Sequence, residues 1–63
     1  MKLNTHKIER ELFRLNMTKR ELAERLEISR QALWDMLRRE SVTLATVNRL
    51  GSALDVDPKD LLI

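Results

Sequence analysis

The 63-residue sequence has no cysteine, and it has only one histidine, one glycine and one proline. Without cysteine, neither a disulfide framework nor a thiolate zinc site can hold the chain together, and a single histidine argues against a histidine-based metal centre. The scarcity of glycine, proline and β-branched residues argues against an all-β fold. No apolar run approaches the roughly 18 residues of a membrane span, and no signal-peptide pattern opens the chain. A cytoplasmic location is expected.

Apolar residues make up 43% of the chain and charged residues 35%, a balance that suits a small helical domain better than a disordered chain. The net charge is only +2, but it is unevenly placed. Residues 1–40 carry ten Lys/Arg against seven Asp/Glu, whereas residues 41–63 carry two against three. The first two-thirds of the chain is therefore the part better suited to a polyanion such as nucleic acid.

Apolar spacing and capping residues predict five helical segments. They cover residues 5–15, a segment beginning at Thr18, a third capped by Ser29, residues 43–54, and a short fifth segment capped by Asp57. Each segment has one apolar stripe, so none is stable alone and all must share a core. The predicted inward residues are Ile8, Leu12, Leu15, Leu22, Ala23, Leu26, Leu33, Met36, Leu37, Leu44, Val47, Leu50 and Leu54, with Phe13 beside them. The prediction is an all-α, compact five-helix bundle forming one domain over residues 1–63.

The stretch "TKRELAERLEISRQALWDM" resembles the helix-turn-helix of the phage repressor and Cro-like (XRE-type) DNA-binding domains. The residues that match in type and spacing are Thr18, Glu21, Leu22, Ala23, Leu26, Ile28, Ser29 and Leu33. "SVTLATVNRLGSALDVDPKDLL" is similar to the fourth and fifth helices of that family. The resemblance implies a lambda-repressor-like fold with the helix-turn-helix in helices 2 and 3. It also implies a sequence-specific double-stranded DNA-binding protein, expected to be a prokaryotic or phage transcriptional regulator.

If the resemblance holds, Arg30, Gln31 and Asp35 occupy the outward positions of helix 3 that read bases in the major groove. Arginine can donate two hydrogen bonds to guanine, glutamine can pair with adenine, and aspartate can accept from cytosine N4. The alternative is that all three are ordinary solvated surface residues. Phosphate contacts are predicted at the rim of this surface, where basic side chains and helix N-termini meet the backbone. The candidates are Lys7, Thr18, Lys19, Arg20, Ser29, Arg38 and Arg39.

The sequence departs from the family pattern at several positions. Lys19 stands where the family usually has glutamine, so a phosphate contact is expected there instead of support for a base reader. Glu27 replaces the usual turn glycine, so either the turn bears left-handed strain of about 1 kcal/mol or its geometry differs. The family often pairs a buried arginine with a glutamate where this chain has Leu12 and Leu37, and we predict that these two leucines pack together. Gly51 is expected to permit close packing of the fourth helix.

Three placements are open for Trp34: the edge of the core, the DNA backbone or a subunit contact. His6 is predicted to face solvent, and Arg10, Arg14 and Arg25 are predicted to pair with nearby glutamates. A homodimer through the C-terminal region, including the apolar residues 61–63, is expected for such regulators. The alternative is that these residues only close the monomer core.

The alternative function is a protein-binding helical module, such as the antitoxin half of a toxin–antitoxin pair. That reading predicts apolar residues left outside the core, with Trp34 and Ile63 as the candidates. A catalytic role is not expected, because the chain offers no phosphate-loop glycines and no room for a deep pocket. No cofactor, metal, membrane or small-molecule partner is predicted.

Overall fold

The computed structural model describes residues 1–39 and 41–63 of the chain. Four α-helices and one 3-10 helix lie in this part of the chain. They are α1 (Thr5–Arg14), α2 (Lys19–Leu26), α3 (Arg30–Arg39), α4 (Leu44–Leu54) and the 3-10 helix Pro58–Leu61. The prediction of five α-helices is therefore wrong in its last element, while the all-helical class and the order of the elements are confirmed.

The last element stops after one 3-10 turn although its start is as predicted. Asp57 caps it by accepting from the Lys59 amide at 3.0 Å, and Pro58 occupies the first position. The Asp60 amide donates to the Asp57 carbonyl at 2.9 Å, which is the i→i+3 bond of a 3-10 helix. Leu62 then turns extended, at φ −110° and ψ 149°, and forms a β-bridge with Leu3. Leu62 thus pairs with the start of the chain instead of continuing the helix.

The helix starts follow the capping residues of the sequence. The Asn4 side chain accepts from the Lys7 amide at 3.2 Å, and Thr43 Oγ1 accepts from the Thr46 amide at 3.3 Å. Each cap satisfies one of the amides that the first turn of a helix leaves unpaired. The residues on either side of the caps are apolar and buried, for example Leu3 before Asn4 and Ile8 four residues after it. These are the positions of a hydrophobic staple, which fixes the direction from which the chain enters the helix.

The ends of α1 and α4, like that of α2, carry a non-glycine residue in the left-handed conformation. Asn16, at φ 54°, ends α1, and the next amide, that of Met17, donates to the Leu12 carbonyl at 2.8 Å. Asp55, at φ 56°, ends α4, and the Val56 amide donates to the Gly51 carbonyl at 3.0 Å. Both ends are Schellman motifs. Asparagine and aspartate adopt this conformation more readily than other non-glycine residues.

One apolar core joins all the elements. Its buried members are Leu3, Ile8, Leu12, Met17, Leu22, Ala23, Leu26, Leu33, Val42, Val47, Leu50, Leu54 and Leu61. Leu3 belongs to it although it precedes the first helix, because the Asn4 amide donates to the Leu61 carbonyl at 2.8 Å and holds this segment against the end of the fold. Sequence periodicity missed Leu3, since a short extended segment has no helical repeat.

Two predicted core residues lie outside the core. The Phe13 side chain is 89% exposed, because the inward face of α1 runs through Ile8 and Leu12, and Phe13 lies a further 100° around the helix. Leu44 is 62% exposed because it is the first residue of α4, and Val42, before the helix, fills the core at that end. The predictions that Phe13 and Leu44 face inward are therefore wrong.

Candidate nucleic-acid interface

The turn between α2 and α3 is a Schellman motif centred on Glu27. Glu27 has φ 59° and ψ 39°, so it takes the left-handed conformation in which glycine is favoured. The Ile28 amide donates to the Ala23 carbonyl at 3.0 Å, and the Glu27 amide donates to the Glu24 carbonyl at 3.1 Å. The sequence left open whether Glu27 is strained in the left-handed conformation or the turn has a different geometry. Its positive φ shows that the turn bears the strain. Ile28 packs against the core from this turn, as expected.

The start of α2 is fixed by the predicted capping box. Thr18 Oγ1 accepts from the Glu21 amide at 3.1 Å, and Glu21 Oε1 accepts from the Thr18 amide at 3.2 Å. The Thr18 hydroxyl also donates to Glu21 Oε1 at 3.3 Å. Lys19 and Arg20 follow as the first two helical residues. Their backbone amides have no partner within the helix and point out of its N-terminal end, where a phosphate is favoured.

The start of α3 presents a capped and exposed N-terminal end. Ser29 Oγ accepts from the Ala32 amide at 3.0 Å, which confirms Ser29 as the cap. Arg30 and Gln31 lie on the first turn with exposed side chains. Leu33, on the opposite face, is fully buried and anchors the helix to the core. The structure therefore places two of the three predicted base readers together on the free face of α3.

Asp35 lies one turn beyond Gln31 on the same face, but its carboxylate already has partners. Gln31 Nε2 donates to Asp35 Oδ1 at 3.4 Å, and Arg38 Nη2 pairs with the same oxygen. Asp35 is half-buried as a result. It links Gln31 to Arg38 in the structure without DNA, so it can accept a hydrogen bond from a base only through its remaining lone pairs.

Most of the cations predicted to bind phosphate are held in ion pairs at the surface. The pairs are Lys7 with Glu11 at 3.4 Å, Lys19 with Glu9 at 3.6 Å, Arg20 with Glu24 at 3.5 Å, and Arg38 with Asp35. The pairs of Lys19, Arg20 and Arg38 are exposed and each worth about 0–1 kcal/mol, so a phosphate can displace the carboxylate at little cost. The Lys7 pair differs, because the Glu11 side chain is only 10% exposed. Arg39 is exposed and forms no ion pair among the described residues.

A model of the Cro/C1-type HTH DNA-binding domain family matches residues 7–63 of the chain. The chain belongs to this family. Neither a curated protein nor a solved structure matches it significantly. The match shows a helix-turn-helix DNA-binding domain, and it covers α2, α3 and the short Glu27 turn between them.

In this Cro/C1-type domain the carboxylate of Glu11 is buried, which the sequence analysis did not foresee. Arg14 Nε donates to Glu11 Oε1 at 2.8 Å, and Lys7 lies beside the other oxygen. The hydrogen bond from Arg14 lowers the pKa of Glu11, and the positive charges of Arg14 and Lys7 add to that effect against the opposing effect of burial. The predicted pairing of Arg14 is confirmed. The spacing of this cluster is visible in the sequence, since Lys7 lies four residues before Glu11 and Arg14 lies three residues after it.

Arg49 of α4 holds the C-terminal end of α2 in place. Its Nη2 donates to the Leu26 carbonyl, one of the carbonyls that the end of α2 leaves unpaired. Arg25 Nη1 donates in turn to the Ala53 carbonyl of α4 at 3.5 Å, so it does not form the predicted ion pair among the described residues. These two arginines tie α2 to α4 and thereby fix the scaffold that carries α3.

The two leucines that replace the family's buried ion pair both lie at the core. Leu12 is 5% exposed, and Leu37 is half-buried against the same apolar cluster. Their direct contact stays a prediction. Trp34 does not cover the core, because its side chain is 59% exposed on α3 beside the N-terminal end of α2. His6 is exposed, as predicted.

Within residues 1–39 and 41–63, no three His, Asp or Glu side chains converge as a metal site would require. None of the helices in this part of the chain is long and apolar enough to cross a membrane.

Proposed function

We propose that this chain is a sequence-specific double-stranded DNA-binding protein that regulates transcription in a prokaryote or phage. The observation that carries the proposal is the free N-terminal turn of α3, which exposes Arg30 and Gln31 directly after the Ser29 cap. In helix-turn-helix proteins this end of the second helix enters the major groove. Family membership supports DNA binding. Residues 1–63 act as one domain in this proposal, since one core joins all the elements.

Arg30 and Gln31 are the principal base readers in the proposal. Asp35 is the third base reader. Because it accepts a hydrogen bond from Gln31 and pairs with Arg38, it also orients the Gln31 side chain. Seven residues hold the DNA backbone by side chain or by helix-end amide. They are Lys7, Thr18, Lys19, Arg20, Ser29, Arg38 and Arg39. These phosphate contacts release counterions condensed on the DNA, so the affinity falls steeply as the salt concentration rises.

Selection of bound duplexes from a random library tests the proposal most directly. We expect a consensus sequence to emerge, and Arg30→Ala to relax the preference at one position with a loss of about 1–3 kcal/mol. Arg39→Ala should weaken all duplexes similarly and reduce the salt dependence. Arg10→Ala, which removes an exposed arginine of α1, is the matched control and should change neither quantity. Absence of any consensus would reject sequence-specific recognition.

The proposal includes a homodimer through the C-terminal region, which would act at the prokaryotic nucleoid in the cytoplasm. Ile63 is 74% exposed there, next to Leu62, whose partner across the β-bridge is Leu3. Leu61 is fully buried and closes the core, so only part of the predicted apolar patch is free. Sedimentation of the protein on its selected duplex should give two copies per site, and one copy would remove the dimer.

The second candidate function is a protein-binding module, including the DNA-binding half of an antitoxin. This function requires apolar residues outside the core, and the two named candidates, Trp34 and Ile63, are 59% and 74% exposed, with Phe13 also exposed at 89%. Titration of a random-sequence duplex at two salt concentrations separates the two candidate functions. A protein-binding module without a DNA role predicts no affinity for duplex at low salt, whereas the leading proposal requires affinity that falls as salt rises.

A further inference from the structure

Trp34 is a large apolar side chain that the fold leaves in solvent at the end of α3 where base reading is proposed. It is the only tryptophan of the chain, and its side chain is 59% exposed. Together with Ser29, Arg30 and Gln31 it lines a shallow depression of ≈ 440 Å³. Trp34 lies three residues after Gln31 and four after Arg30, which places all three on one face of the helix. The indole thus lines one side of the depression that also contains the proposed base readers Arg30 and Gln31.

Lys19 lies against this indole. Its Nζ is 5.9 Å from the ring centroid, within the range of a cation–π contact, and 3.6 Å from Glu9 Oε1. The ammonium comes from the first turn of α2, where a phosphate contact is proposed. Trp34 therefore stands between a proposed phosphate contact on one side and two proposed base readers on the other. Insertion of α3 into the major groove, as proposed, would carry the indole into the groove together with Arg30 and Gln31.

We infer that Trp34 is a specificity residue, and that its indole packs against the C5-methyl group of a thymine. The inference rests on the proposed function. The thymine methyl is the apolar group that base pairs offer in the major groove, and apolar side chains recognise it by contact. Arg30 and Gln31 supply hydrogen bonds to neighbouring bases, and Trp34 supplies the apolar contact that they lack. Lys19 is its positioning residue, since its ammonium holds one side of the ring while it binds phosphate.

The fluorescence of the protein tests this inference without any substitution. The chain has one tryptophan and no tyrosine, so its emission reports on Trp34 alone. On binding the selected duplex, we expect the emission to shift to the blue or be quenched, and acrylamide to quench it less than in the free protein. Binding is followed separately by the anisotropy of dye-labelled duplex. DNA that binds while the emission and its quenching stay unchanged would overturn the inference and leave the proposed function intact. Failure to bind any duplex would remove both.

Replacement of thymine by deoxyuridine, one position at a time, tests the methyl contact itself, because it removes only the C5-methyl group. At one position we expect the wild-type affinity to fall about fourfold, as for loss of one buried methyl group. Trp34→Ala should bind thymine and deoxyuridine equally at that position while keeping the preference set by Arg30. Phe13→Ala, which truncates an exposed aromatic side chain of α1, is the matched control and should keep the fourfold difference.

Loss of the thymine preference in Lys19→Met, with the indole more accessible to acrylamide, would support the positioning role of Lys19. A Trp34→Ala protein that still discriminates thymine from deoxyuridine would overturn the inference, as would a duplex with no sensitive position. Because Trp34 is exposed, the variant should fold, and a thermal melt verifies this before binding is measured.

Discussion

At the scale of single residues, this domain places its glycine and its left-handed residues at different positions. Asn16, Glu27 and Asp55 adopt positive φ at helix ends, where glycine is favoured, and Gly51 lies in the middle of α4. Composition alone would assign the one glycine to a turn. Gly51 is instead required by packing, because a Cβ there would lie 2.7 Å from Pro58 Cγ and 2.9 Å from the Val56 carbonyl oxygen. Close packing at Gly51 was predicted from the sequence, and the structure shows that the packing partners are Pro58 and the Val56 carbonyl.

Replacement of Glu27 by glycine should stabilise the domain. A left-handed conformation costs a non-glycine residue about 1–2 kcal/mol, and the greater freedom of glycine in the unfolded chain offsets part of that gain. We expect the free energy of unfolding to rise by about 0.5–1 kcal/mol, measured by urea denaturation. Glu24→Gly, within α2, is the matched control and should lower it by about 1 kcal/mol. Equal destabilisation by both substitutions would contradict the strain at Glu27.

Gly51→Ala should destabilise the domain although alanine favours helix by about 1 kcal/mol. The added methyl group meets a proline ring and a backbone oxygen, and neither can move aside without displacing the 3-10 helix. We expect a net loss of about 1–2 kcal/mol, typical of overpacking in a closed site. Thermal melts of Gly51→Ala and of Ser52→Ala, at the adjacent exposed position of α4, provide the comparison. A higher melting temperature for Gly51→Ala would show that the contact relaxes.

At the scale of elements, three short connections have the same order of residue roles. Asn16-Met17-Thr18, Glu27-Ile28-Ser29 and Asp55-Val56-Asp57 each combine a left-handed residue, an apolar residue packed on the core, and the cap of the next element. The apolar residue closes the Schellman motif of one helix and occupies the staple position of the next. The caps were predicted from their residue types. The left-handed Glu27 was only one of two possibilities in the sequence, since side-chain chemistry does not favour that conformation, and the turn geometry imposes it.

Within α1, the buried Glu11 should make stability depend on pH. Its pKa is lowered in the folded state, first by the Arg14 hydrogen bond, so it binds protons more weakly there than in the unfolded chain. Its stabilising contribution is therefore complete above the ordinary glutamate pKa and is lost as the pH falls through the lowered value. Glu11→Gln should melt below the wild type at pH 7, and the difference should shrink at pH 3. Glu9→Gln, in an exposed pair with Lys19, is the control, and its difference should be smaller at pH 7.

At the scale of the whole molecule, the helical class and the shared core followed from periodicity and capping, and the helix-turn-helix followed from the resemblance of residues 18–36 to a known family. The errors have physical reasons in tertiary contacts. Phe13 was predicted to be buried because it neighbours the apolar stripe of α1. The core contacts Leu12, and the Phe13 side chain remains in solvent. The fifth element became a single 3-10 turn because Leu62 pairs with Leu3. Such pairing of distant segments has no periodic pattern in the sequence. Of the interface, the cap Ser29 was predicted, whereas the Arg38–Asp35 pair was not, although its i, i+3 spacing is visible in the sequence.

The extended segment before α1 should contribute as much to stability as a helical core residue does. Leu3 is fully buried, its neighbour Lys2 bridges to Ser41, and the Ile63 amide donates to the Lys2 carbonyl at 3.0 Å. The segment therefore joins the region before α4 to the region after the 3-10 helix. Leu3→Ala should lower the free energy of unfolding by about 2–4 kcal/mol, through the lost apolar contacts and the cavity left behind.

Leu44→Ala is the matched control for Leu3→Ala, because it makes the same truncation at a leucine that is 62% exposed. Urea denaturation followed by helical circular dichroism should show a much lower midpoint for Leu3→Ala and a midpoint close to wild type for Leu44→Ala. A 63-residue domain has only a few kcal/mol to lose, so Leu3→Ala should be partly unfolded at 37 °C. Coinciding midpoints would mean that the segment before α1 is not part of the cooperative unit, and that residues from α1 onward fold without it.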